Sequence, residues 1–236
     1  MKDKFFLEMK TQHYDFKMAS QTFKLSPSAI SLMNECHRCF WLTQHKKWKR
    51  PEGPFPSLPA GMDKVLKTHF DKFMNKGELP PEIREYGISN GYKLFDDKKQ
   101  LDTWRSNFKG IQYKDKPSGI LLRGAIDNMI RKGEKLVVLD YKTRGYPLKE
   151  DTHEHYQNQM DIYNFLLRKN GYETEDYSYL LFYYPKEVND FGEVIFYTKL
   201  IKIATSSKNG EAIFGKAIRL LLSDCPTKTC EWCDGR

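Results

Sequence analysis

Two β-rich runs separated by only four residues set the architecture of this chain. Residues 119–130 (GILLRGAIDNMI) and 135–143 (KLVVLDYKT) flank Arg131, Lys132, Gly133 and Glu134, which predicts an antiparallel hairpin closed by a tight turn containing glycine. Leu136 to Leu139 are apolar without alternation, the pattern of a central strand covered on both faces. Helices are therefore required on both sides of a sheet. Ser26 followed by Pro27 starts one, running to about Leu42, with Cys36 and Cys39 on one helix face. Four prolines between Arg50 and Gly61 mark a connector without regular structure, and a second helix is expected from Ala60 or Gly61, carrying Val65, Leu66, Phe70 and Phe73. A short helix is predicted over about 98–108, another around Met160 to Leu167 that stops at Asn170 and Gly171, and a last one over about 208–222. The runs YSYLLFYYP and GEVIFYTKLIKI give two further strands joined around Asn189 and Asp190. This order predicts an α/β fold with a mixed central sheet flanked by helices.

The hairpin also concentrates chemistry. Asp140 and Lys142 lie two apart at the end of the second strand and so project to the same side, and pairing of the strands can bring Asp127 beside them. Two carboxylates suit Mg²⁺ or Mn²⁺, with the backbone carbonyl of Tyr141 as a further oxygen ligand. Lys142 would then orient a water or neutralise charge growing on a phosphate. The bland reading of the same residues is a hairpin cap and a strand-end ion pair. A formal charge of +8 and a pI near 9.1 favour a polyanionic partner such as nucleic acid. Lys46, Lys47, Lys49 and Arg50, interleaved with Trp41 and Trp48, read either as a surface for phosphates and bases or as a solvated basic turn. Arg123 and Arg144 are other basic candidates.

Cys36-x-x-Cys39 and Cys230-x-x-Cys233 stand near opposite ends of the chain, with Cys225 just before the second pair. Two such pairs can supply a tetrahedral Cys₄ zinc site or a four-iron cluster that ties the ends together. Charges throughout the first residues and the lack of about 18 consecutive apolar residues exclude a signal peptide and a membrane span, so a cytoplasmic location is expected. Residues 1–24 read as an extension ahead of a single domain over 25–236.

Taken together, LSPSAISLMNECHRCFWL, GAIDNMI, VVLDYKT and QMDIY with the cysteine tail resemble the PD-(D/E)XK nucleases, in particular the RecB-like branch that includes CRISPR-associated exonucleases. The resemblance covers about Leu25 to Cys233. It implies a restriction-endonuclease-like fold and an Mg²⁺- or Mn²⁺-dependent deoxyribonuclease acting on single strands or duplex ends, with Asp127, Asp140 and Lys142 at its centre. It also implies protein partners in a repair or CRISPR-adaptation complex. Gln159 and Tyr163 match the branch's Q-x-x-x-Y motif; from spacing alone Tyr163 reads as core. The branch usually draws another metal ligand from the helix after the first motif, for which His69 and Asp63 are the candidates. Its [4Fe–4S] pattern would use Cys36, Cys225, Cys230 and Cys233 and leave Cys39 spare, whereas zinc would use the two C-x-x-C pairs. Two other readings are a non-catalytic nucleic-acid-binding module on the same fold and a zinc-stabilised interaction domain.

Overall fold

The computed structural model describes residues 23–89 and 91–235; the extension expected over 1–24 lies outside them but for its last two residues. β6 (Lys135–Thr143) is the middle strand of a five-stranded sheet. Antiparallel to it lies β5 (Asn128–Lys132), with β2 (Tyr92–Leu94) antiparallel beyond. On the other side β7 (Tyr177–Val188) runs parallel to β6, and β8 (Val194–Ala204) closes the edge antiparallel. Parallel pairing of β6 and β7 needs a crossover, and α6 (Gln157–Lys169) provides it. The turn between β5 and β6 places Gly133 at φ 56°, a left-handed conformation that glycine adopts without a Cβ clash.

As expected of a strand covered on both faces, β6 feeds two cores. Leu136 and Val138 pack with Ile162 and Leu166 of α6, while Val137, Leu139 and Tyr141 pack with Leu66 and Phe70 of α3 (Ser57–Lys76). Each such buried side chain contributes roughly 1.5–3 kcal/mol. The two-residue period then fixes the site: Asp140 and Lys142 continue the Leu136 and Val138 row, toward α6. α7 (Ser207–Leu221) packs against α6 on that same side. Among the described residues no helix is long and apolar enough to cross a membrane.

Several local expectations are corrected. The first run is not one strand: β4 (Leu121–Gly124) belongs to a separate mixed sheet with β1 (Lys24–Leu25) and β3 (Ile111–Lys114), and residues 125–127 lead from it to β5. The helix expected up to Leu42 breaks at Cys36 into α1 (Pro27–Glu35) and α2 (His37–Gln44). Cys36 is extended, at φ −157° and ψ 116°, and its Sγ accepts the Cys39 N–H at 3.5 Å, so the pair straddles a cap rather than sharing a helix face. The proline connector is shorter than expected, because α3 begins at Ser57. Pro59 fits inside its first turn, where a backbone N–H has no helical partner to lose.

Candidate active site and cysteine centre

The link between β4 and β5 is drawn against α6, and this places Asp127. A Cβ on Gly124 would lie 2.7 Å from Tyr163 Cε1, so only glycine lets the backbone approach the ring this closely. Tyr163 O–H donates to the Ala125 carbonyl at 2.5 Å, and Ile126 N–H to the Trp104 carbonyl at 3.0 Å. Arg105, from α5 (Lys98–Arg105), donates through Nε to the Asp127 carbonyl at 2.7 Å. With its backbone satisfied outside either sheet, the segment turns Asp127 toward β6, where Oδ2 accepts the Tyr141 N–H at 3.1 Å. In a strand the N–H and C=O of one residue leave the same edge, so the Tyr141 carbonyl faces Asp127 as well.

Asp140 is 1% exposed. Burial pushes its carboxyl up from the ordinary 3.8 to about 6, opposed by Lys142 and reinforced by Asp127. Lys142 Nζ is 2.6 Å from Asp140 Oδ2 and donates to Gln159 Oε1 at 3.1 Å. Burial pulls the Lys142 ammonium down, but the charges of Asp140 and Asp127 outweigh it, so it stays protonated. Gln159 Nε2 donates to Asp140 Oδ1 at 3.3 Å and to Tyr163 Oη at 2.8 Å. The Lys142 ammonium thus sits directly on the buried Asp140 Oδ2 and partly offsets its charge. Two carboxylates, Asp127 and Asp140, beside the Tyr141 carbonyl are an all-oxygen donor set that fits a hard divalent ion.

Asp127, Asp140, Lys142, Gln159 and Tyr163 line one cleft of about 750 Å³, with the N-terminus of α1 (Ser26, Ser28) on one wall and Asp63 and Lys67 of α3 on another. Lys67 went unnoticed in the sequence. Its Nζ is 2.8 Å from Asp63 Oδ2 and 3.1 Å from Asp127 Oδ1; burial lowers its pKa but the two carboxylates more than restore it. The other candidate on α3, His69, is not brought to the site. Its Nε2 meets Glu82 Oε1 at 2.8 Å, Tyr183 O–H donates to the same oxygen at 3.0 Å, and all three line a different pocket.

At the opposite end of α1, the Sγ atoms of Cys36, Cys39, Cys230 and Cys233 all lie within 4.8 Å of one another, positioned to hold a metal ion. Separations are 3.9 Å for Cys36 and Cys233, 3.5 Å for Cys39 and Cys230, and 3.7 Å for Cys230 and Cys233. Cys39 is thus a member of the group and Cys225 is not: the Cys225 Sγ accepts from the Arg38 guanidinium at 3.2 Å instead. Of the basic stretch read as either a nucleic-acid surface or a solvated turn, Arg50 and the two tryptophans are engaged here, while Lys46, Lys47 and Lys49 are exposed. Arg50 donates to Glu35 at 2.6 Å and Cys230 Sγ at 3.8 Å, Trp48 packs on the cysteines, and Trp41 donates to the Ser223 carbonyl at 3.0 Å.

The PD-(D/E)XK nuclease superfamily profile matches residues 64–236. Among solved structures, the crystal structure of SSO0001 is similar at 12% identity and a TM-score of 0.43, covering 87% of this chain and 80% of that one. No curated protein sequence matches.

Proposed function

Because the chain belongs to the PD-(D/E)XK nuclease superfamily, we propose that it is an Mg²⁺- or Mn²⁺-dependent deoxyribonuclease, cutting single strands or duplex ends, with its chemistry in the Asp127, Asp140 and Lys142 cleft. The observation that carries this reading is the convergence of those three side chains, from β6 and the segment just before β5, in one cleft with the Asp140 carboxylate buried. Asp127, Asp140 and the Tyr141 carbonyl would hold the ion. When bound it supplies polarisation of a phosphate oxygen and a more acidic water. The water oxygen would bond to phosphorus and give up a proton to solvent, the bond to the leaving sugar oxygen would break, and that oxygen would take up a proton from solvent. Lys142 is an ammonium, so it donates to the phosphate or the water and does not serve as the base. Gln159 fixes Lys142 relative to Asp140, and Tyr163 ties Gln159 to the segment that carries Asp127.

The four sulfurs support a single Zn²⁺ over an iron–sulfur cluster. Thiolates about 2.3 Å from one ion at tetrahedral corners are about 3.8 Å apart, near the separations of Cys36, Cys39, Cys230 and Cys233. Thiolates bound to four different irons stand farther apart. A bound zinc contributes folding energy, and its thiolates suit the reducing cytoplasm.

The experiment is incubation of labelled single-stranded DNA, duplex DNA and RNA with Mg²⁺ or Mn²⁺. Asp140→Ala and Lys142→Ala are the controls. Metal-dependent cutting of DNA by wild type alone is the expected result. Intact DNA in every lane would sink the reading in favour of a non-catalytic nucleic-acid-binding module.

A further inference from the structure

Two lysines stand at opposite ends of the carboxylate pair, and only one of them belongs to the D-x-K run. Lys142 sits on Asp140 at 2.6 Å, whereas Lys67 reaches in from α3 to Asp127 Oδ1 at 3.1 Å and is itself anchored by Asp63 at 2.8 Å. Its side chain is 21% exposed. The helix from which an additional ligand was expected therefore delivers a cation and a carboxylate to hold it, with His69 turned away onto Glu82.

We propose that Lys67 takes the place of a second divalent ion, so that the site binds one ion, shared by Asp127 and Asp140, and Lys67 supplies the other positive charge on the phosphate. Sites with two metals place the ions about 3.5–4 Å apart, one beside the attacking oxygen and one beside the leaving oxygen. Here the flank of Asp127 toward α3, where a second ion would have to share that carboxylate, is filled by an ammonium.

Charge balance points the same way. Asp63, Asp127 and Asp140 against Lys67 and Lys142 leave one net negative charge, which a single divalent ion converts to one positive. One phosphodiester neutralises it. A second ion would leave an excess of two positive charges beside a carboxylate that is 1% exposed, where uncompensated charge is costly. Two further cations line the cleft: Arg105 is paired with Asp71 at 2.7 Å, and Arg123, half-buried and donating to the Phe108 carbonyl at 2.7 Å, adds positive charge that makes a second ion still less favourable.

The role assigned to Lys67 on the phosphate rests on the nuclease reading, while the number of ions does not. Mn²⁺ titration followed by electron paramagnetic resonance, on protein as purified with its cysteine site filled, is expected to give one ion per chain in wild type. Asp140→Ala should lose it. Lys67→Ala should admit a second Mn²⁺, turn the dependence of cutting on Mn²⁺ from hyperbolic to sigmoidal, and lower kcat about 10²-fold at limiting metal with little change in KM. Lys67→Arg should keep one ion and recover part of kcat, and the exposed Lys72→Ala should match wild type. Two ions bound by wild type, or a Lys67→Ala protein with unaltered stoichiometry and metal dependence, overturns the proposal. If no nucleic acid is cut, the nuclease reading fails, yet the ion counts in wild type and Lys67→Ala still decide this one.

Discussion

Asp127 is oriented by the strand beside it: its Oδ2 accepts the Tyr141 backbone N–H at 3.1 Å. Asp127→Asn can keep this contact through its carbonyl oxygen while losing the charge. The variant should melt close to wild type and lose activity by about 10³-fold, as when a charge-stabilising group is removed from an active site. A large fall in Tm would mean that the carboxylate serves the fold instead.

Gln159 joins the two halves of the D-x-K pair, donating to Asp140 and accepting from Lys142. With Gln159→Ala, kcat should drop about 10- to 100-fold with KM for DNA nearly constant, because Lys142 is no longer held against the phosphate. An unchanged kcat would show that the Asp140 contact alone positions the lysine.

Burial raises Asp140 to about 6. Between about 4 and 6 the folded protein holds a proton that the unfolded chain has released, so the contribution of this group to stability falls as pH rises through that window. Above it the ionised carboxylate favours a cation. Mn²⁺ affinity, measured by calorimetry from pH 5 to 8, should level off above about 6 and weaken about tenfold per unit below. A flat profile would mean that Asp140 binds no ion.

A methyl at position 124 would meet the Tyr163 ring at 2.7 Å. Gly124→Ala should lower stability by about 1–3 kcal/mol through overpacking. Because the displaced segment carries Asp127, activity at a temperature where the protein stays folded should fall as well, which separates this site from an ordinary core position.

Cys39→Ser and Cys230→Ser should each reduce bound zinc and lower Tm by several degrees, whereas Cys225→Ser should retain the metal. Elemental analysis and the absorbance near 400 nm decide the rest: a brown, iron-containing protein would overturn the zinc assignment.

Much of this was legible in the sequence because it is local. The Asp140 and Lys142 pair follows from a two-residue period at the end of a buried strand, and the C-x-x-C units declare themselves. What escaped is set by contacts distant in sequence. Nothing in GILLRGAIDNMI announces that Gly124 must admit the Tyr163 ring, so the break into β4 and β5 is invisible until α6 is in place. Asp63 and Lys67 have the spacing of an ordinary helical ion pair, and only Asp127, brought in by another element, gives Lys67 a different meaning. The α1–α2 break contains neither glycine nor proline; a cysteine thiol caps it.

The cysteine centre draws two sulfurs from residues 36–39 and two from 230–233. A growing polypeptide therefore cannot complete it until Cys233 has left the ribosome, and α1, held against α6 and α7 through the buried Ile30 and Met33, gains this second fastening last. A loaded centre thereby marks a molecule in which residues 36–39 and 230–233 have both been made and brought together.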